Sequence, residues 1–135
     1  TGATVGPFAH LRPNSHLGQD VHIGNFVEVK NSTLGAGVKS GHLTYIGDAD
    51  LGRDINIGCG TIFVNYDGKK KHRSTVGDQA FIGCNANIVS PVKIGDQTFI
   101  AAGTTVTHDV PDQALAISRV KQDNIPNYWQ KFSKK

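Results

Sequence analysis

Aliphatic residues recur along this chain at intervals of six: Val5, Leu11, Leu17, Ile23 and Val29, then Leu34 and Ile46, then Leu51, Ile57 and Phe63. After a gap they resume as Val76, Ile82, Ile88, Ile94, Ile100 and Val106. Glycine follows the aliphatic residue at Gly6, Gly18, Gly24, Gly35, Gly47, Gly52, Gly58, Gly77, Gly83 and Gly95. A helix of 3.6 residues per turn cannot keep every sixth residue on one side. Short strands joined by tight corners can, with glycine easing the corners. The pattern therefore predicts an all-β fold, a triangular parallel β-solenoid in which six residues make one face and about eighteen make one coil, with coils about 4.8 Å apart.

The phase slips by one residue between Val29 and Leu34 and again between Ile46 and Leu51, and Ser40-Gly41 fills the slot between Leu34 and Ile46. Between Phe63 and Val76 the polar run Asn65 to Arg73 predicts a loop, residues 64–75, thrown off the solenoid. After Val106 the repeat stops, and Val110-Pro111-Asp112 reads as a turn. The expected organisation is a solenoid over residues 1–110 and a tail over 111–135. Tyr128, Trp129 and Phe132 would leave apolar area in water, so they are expected to dock on another subunit or on the solenoid side.

With 135 residues, 38% of them apolar, the chain supports one modest core. It begins at Thr1 already in patterned sequence, which suggests a piece of a longer protein whose N-terminal partner domain is missing. No stretch approaches eighteen apolar residues and no signal segment precedes the repeat, so a soluble, cytoplasmic chain without membrane insertion is expected. Cys59 and Cys84 are too few for a disulfide framework and lack zinc spacing, so they read as reduced thiols. The net charge of +3 favours anionic partners without choosing among them.

Departures from the repeat point to chemistry. The glycine slots after Leu11 and Val29 hold Arg12 and Lys30, eighteen residues apart. In an eighteen-residue coil these cations stack one strand spacing apart, and a phosphate between them resolves their repulsion; the plainer alternative is a pair of solvated surface cations. His42 follows Gly41, and an imidazole, which ordinarily titrates near neutral pH, suits removal of a proton from an amine. His10, His16 and His22 are spaced by six, which places them on successive faces of one coil, so they cannot converge on one metal ion within a protomer, which leaves only ligation across a subunit boundary. The run Lys69 to Arg73 lacks the interleaved aromatics of a nucleic-acid platform. Asn65, Tyr66 and Lys71, on a loop over a solenoid face, could instead supply an amide, a hydroxyl and a cation.

Gly6-Pro-Phe-Ala-His-Leu-Arg-Pro13, Gly24-Asn-Phe-Val-Glu-Val-Lys30, Gly41-His-Leu-Thr-Tyr-Ile-Gly-Asp48, Asn65-Tyr-Asp-Gly68, Ala101-Ala-Gly-Thr-Thr-Val-Thr107 and Ala114-Leu-Ala-Ile-Ser-Arg119 carry a family resemblance. Over residues 3 to 120 the chain resembles the C-terminal half of the bacterial bifunctional glucosamine-1-phosphate N-acetyltransferase and N-acetylglucosamine-1-phosphate uridyltransferase, within the hexapeptide-repeat acyltransferase superfamily. The resemblance implies a left-handed parallel β-helix, a homotrimer with shared active sites, and acetyl transfer from acetyl-CoA to glucosamine-1-phosphate. It matches His42 to the general base, Arg12, Lys30, Tyr45, Asn56 and Lys71 to the sugar-phosphate site, and Asn65 and Tyr66 to positions beside the thioester and amine. Donors near Asn65 and a backbone amide are expected at the oxyanion. Cys59, Cys84, Ala102 and Arg119 match positions lining acetyl-CoA, Cys84 standing where serine is common. No metal is implied here; magnesium belongs to the uridyltransferase half. Rival readings are a hexapeptide acyltransferase with another acceptor, a non-catalytic trimeric scaffold, and a metal-dependent anhydrase.

Overall fold

In a computed structural model, residues 1–133 are described, and their short parallel strands wind about one core. The pairings sort into three ladders, one per face. The first face stacks His10, Glu28, Tyr45, Ile62, Asn87 and Thr105. The second stacks His16, Thr33, Asp50, Thr75 and Lys93. The third stacks Thr4, His22, Lys39, Asn56, Phe81, Phe99 and Leu115. His10, His16 and His22 thus fall on three different faces, as their spacing requires. Corners fall at residues with positive φ, among them Leu43 (51°), Asp48 (51°) and Asp54 (54°). Strands His22–Lys30 and Lys39–Gly47 run unbroken through the stacked corners at Phe26 and Leu43 and join the third face to the first.

The phase slips in the sequence shorten the coils. Thr4 pairs with His22, eighteen residues on, whereas His22 pairs with Lys39 and Thr33 with Asp50, each seventeen on. Asp50 then pairs with Thr75 across an excursion, and the eighteen-residue step returns between Thr75 and Lys93. All the sixth-residue aliphatics from Ile23 to Val106 are buried. A second inward row, two positions earlier on each strand, was not part of the six-residue pattern: Val21, Val27, Val38, Ala49, Ile55, Ala80, Ala86 and Val92 alternate with outward side chains. Val5 and Leu11 stay 46% and 41% exposed because the first coil has a neighbour on one side only. At the Leu43 corner adjacent coils come so close that a Cβ on Gly24 would run into the carbonyl of Gly41.

Past the turn at Pro111 one further rung forms, Leu115–Ala116 against Phe99–Ile100. The tail then makes the helix Tyr128–Ser133, which the repeat gave no reason to expect. Trp129 packs on Phe132 with ring centroids 5.1 Å apart, but Tyr128, Trp129 and Phe132 remain 54%, 71% and 52% exposed. Docking on the solenoid side is therefore not what this chain does: the helix buries none of its residues. Lys134 and Lys135, the end of the expected tail, lie outside the described residues. Among the described residues no helix is long and apolar enough to cross a membrane.

Candidate active site

The first face ends at the Asp48 corner, and cations gather there. Arg12 sits one coil from Lys30, its amide donating to the Val29 carbonyl at 2.7 Å, so the two side chains stack as the eighteen-residue spacing predicts. Each has a carboxylate that the spacing did not assign to it. Arg12 Nη1 donates to Glu28 Oε2 at 3.0 Å on the surface, and Lys30 Nζ lies 3.3 and 3.4 Å from the two oxygens of Asp48. The Lys30–Asp48 pair is shielded, with side chains only 16% and 7% exposed. Lys71 arrives from the excursion: contact with the Lys30 ammonium holds its pKa below the ordinary lysine value, with a smaller push from Arg12 and an opposing pull from Asp48. Three cations share two carboxylates, which leaves one positive charge and makes the corner a place for an anion.

Asp48 is the hub. Burial alone would raise its pKa, but hydrogen bonds from Asn31 and Asn65, both at 2.7 Å, and the Lys30 ammonium outweigh that and hold it low. Asn65 is itself buried, and its Nδ2 also reaches the Tyr45 hydroxyl at 3.2 Å. Gly47 makes this meeting possible, since a Cβ there would collide with both the Tyr45 hydroxyl and the Asn65 amide.

The excursion is tied down rather than loose. The Asn65 carbonyl accepts from the His72 amide at 2.7 Å, and Tyr66 bridges Lys71 in antiparallel fashion. Asp67 closes the turn by accepting from the amides of Lys69 and Lys70 and pairing with His72. Those two amides, Lys70 foremost, and His72 pull its pKa to about 2. Arg73 anchors the far end, with two 2.7 Å bonds to Asp50 and one of 2.9 Å to the Asn31 carbonyl.

His42 occupies the Leu43 corner at the other end of the face and is exposed. Up the solenoid axis the coils place Cys59, Cys84 and Ala102 in one column with it: the amides of Gly60, Asn85 and Gly103 each donate at 2.8 Å to the carbonyls of Leu43, Cys59 and Cys84. Arg119 closes the column through a 2.9 Å bond to the Ala102 carbonyl. Three coil steps make this track about 14 Å long. Asn56 does not join the cation cluster; it pairs with Lys39 on the third face, round the corner from Tyr45. Arg12, Lys30, Tyr45, Asn65 and Lys71 come together, and Cys59, Cys84, Ala102 and Arg119 align with His42. Glu28, Asn31 and Asp48 complete the arrangement and were not anticipated as site residues.

A family model described as bacterial transferase hexapeptide (six repeats) matches residues 73–108. The chain is 65% identical over 120 residues to the bifunctional protein GlmU of Caldicellulosiruptor saccharolyticus, covering 89% of this chain and 26% of that one. It is 60% identical over 132 residues to the GlmU of Latilactobacillus sakei subsp. sakei, covering 98% and 29%. Over nearly its whole length the chain matches a segment of the GlmU proteins. It spans little more than a quarter of the length of these GlmU relatives. Among solved structures, PerB from Caulobacter crescentus, in complex with CoA and GDP-perosamine, is 27% identical with a TM-score of 0.78 over 86% of this chain and 54% of that one. The acetyltransferase domain of PglB from Neisseria gonorrhoeae, at 21% identity and a TM-score of 0.76 over 84% and 53%, shares the fold.

Proposed function

We propose that this chain transfers acetyl from acetyl-CoA to glucosamine-1-phosphate, giving N-acetylglucosamine-1-phosphate for UDP-N-acetylglucosamine and thus for peptidoglycan and lipopolysaccharide precursors. The observation that carries the reading is the cation cluster of Arg12, Lys30 and Lys71 on the same face as Tyr45, with the His42 column at the opposite corner. A phosphate at the first and a thioester laid along the second would bring an amino group between them to His42. Identity of 53–65% to GlmU proteins supports the choice of amino sugar.

In this mechanism His42 takes a proton from the 2-ammonium. The freed amine attacks the thioester carbon, the C–S bond of the tetrahedral intermediate breaks, and the CoA thiolate takes the proton back from the imidazolium. The second proton on the attacking nitrogen is lost through the neutral imidazole to solvent, which leaves the neutral amide. Arg12, Lys30 and Lys71 bind the phosphate and fix orientation. Cys59, Cys84, Ala102 and Arg119 line acetyl-CoA, while Asn65 and Tyr66 stand where thioester and amine meet. Asn56 is turned away on one chain but faces outward on the third face, which fits a site completed by a second copy. The reading therefore includes a homotrimer, a cytoplasmic setting and no metal in this domain.

The test is thiol release from acetyl-CoA by the purified chain, with glucosamine-1-phosphate, glucosamine-6-phosphate, a nucleotide-linked amino sugar or no acceptor. Release with the 1-phosphate alone supports the reading. Release only with the nucleotide-linked sugar replaces the acceptor, and no release combined with no rise in melting temperature on adding acetyl-CoA favours a scaffold.

A further inference from the structure

Three donors converge on the two oxygens of Asp48: Lys30 Nζ, Asn31 Nδ2 and Asn65 Nδ2. An ionised carboxylate only accepts, so the Asn65 amide has to turn its nitrogen toward Asp48, whichever way an amide is drawn. Its second N–H is directed to the Tyr45 hydroxyl at 3.2 Å. Both donors of the amide are then spent inside the protein. The amide oxygen lies on the other side of Cγ; among the described residues no hydrogen bond engages it, and it is not a buried unpaired atom.

We propose that Asp48 is a positioning residue that locks the Asn65 amide with its carbonyl oxygen toward the reacting amine and holds the Lys30 ammonium at the phosphate end. The proposal rests on the acetyl-transfer reading and changes one role within it. With its nitrogen committed, Asn65 has no N–H left for an oxyanion, so that duty falls to a backbone amide. Its outward oxygen accepts an N–H of the 2-amino group, leaving the nitrogen lone pair free to face the thioester carbon once His42 has removed a proton. One carboxylate thereby ties the phosphate anchor to the group that orients the nucleophile.

Asp48→Asn keeps the shape but replaces one acceptor by an NH2 that faces three donors, so the Asn65 amide loses its fixed orientation. In the intact chain we expect kcat to fall roughly a hundredfold, with the KM for acetyl-CoA unchanged. Because Asp48 acts through Asn65, the same change in an Asn65→Ala background should cost less than about threefold more. The side-chain amide protons of Asn65, followed by NMR without substrate, should exchange slowly with water in the wild type and fast in Asp48→Asn. Additive losses in the double variant, or Asn65 amide protons that exchange alike in both, would overturn the proposal. If Asp48→Asn folds poorly, acidifying the wild type is the second measurement: Asn65 exchange that accelerates, as Asp48 protonates, beyond that of an exposed asparagine amide in the same chain supports the proposal, and exchange that merely follows the exposed amide refutes it. Should the wild type release thiol with no acceptor, the acetyl-transfer reading falls, while the exchange measurement still judges the hold of Asp48 on Asn65.

Discussion

Ser40 stands where the repeat calls for an aliphatic side chain, between Ile23 and Ile57 on the neighbouring coils. It is fully buried, and its hydroxyl has no partner among the described residues. An orphaned buried hydroxyl costs about 1–3 kcal/mol, so Ser40→Ala should raise unfolding free energy by about 1 kcal/mol in urea titrations; a drop would mean that the hydroxyl is satisfied. His42→Ala should lower kcat by about a hundredfold or more with little change in sugar affinity, and an unchanged rate removes His42 from the mechanism. Lys30→Ala should chiefly raise the KM for glucosamine-1-phosphate, so an effect confined to acetyl-CoA counts against its role. His42, Arg12 and Lys30 were legible because each breaks the repeat or stands beside a glycine slot. Asp48 was not: it occupies a positive-φ corner just as Asp20 and Asp54 do, and nothing local separates the three. Its importance comes from Asn65, which the fold brings to it from seventeen residues away.

At the scale of elements, the excursion differs most from its expectation. A polar, lysine-rich run reads as a solvated loop, yet Asp67 and the Arg73–Asp50 pair pin both ends. The Arg73–Asp50 bonds cross between segments far apart in sequence, and the Asp67 bonds, though local, depend on the turn geometry, which is why composition alone did not reveal them. Acid should release the excursion. The pKa values of Asp67 and Asp50 are held below the ordinary value of 3.8, so the stability they contribute is fully present above that pH and is lost as pH falls toward the folded values. The amide signals of Lys69 and Lys70 should therefore titrate with a midpoint of about 2, and a midpoint near 3.8 would show that Asp67 is not held by these bonds.

For the whole molecule, apolar side chains line the outside of the third face as well as its core. Phe81 and Phe99 stack with centroids 4.7 Å apart and remain 41% and 49% exposed, with Leu115 beyond them at 60%. A continuous apolar strip beside Asn56 fits burial against another copy. In sedimentation the wild type should run at three times the 14.4 kDa chain mass, and Phe99→Glu should run lighter and lose the stabilisation by acetyl-CoA; a monomeric wild type would sink the shared site. The solenoid, its coil length and its two phase slips follow from the sequence alone, because a six-residue alternation of aliphatic and glycine leaves the chain one way to bury its apolar side. The stacked cations follow too, since in a regular repeat sequence spacing is spatial spacing. What only the tertiary structure decided is how the side chains meet at the irregular part: the excursion returning Lys71 to the Lys30 ammonium, and Asn65, one coil from Asp48, turning its amide onto that carboxylate. Lys30 and Lys71 are separated by no multiple of the coil, and Asp48 and Asn65, though one seventeen-residue coil apart, are joined by a side-chain hydrogen bond that spacing alone does not dictate, so burial and hydrogen bonding in the folded chain had to select these contacts.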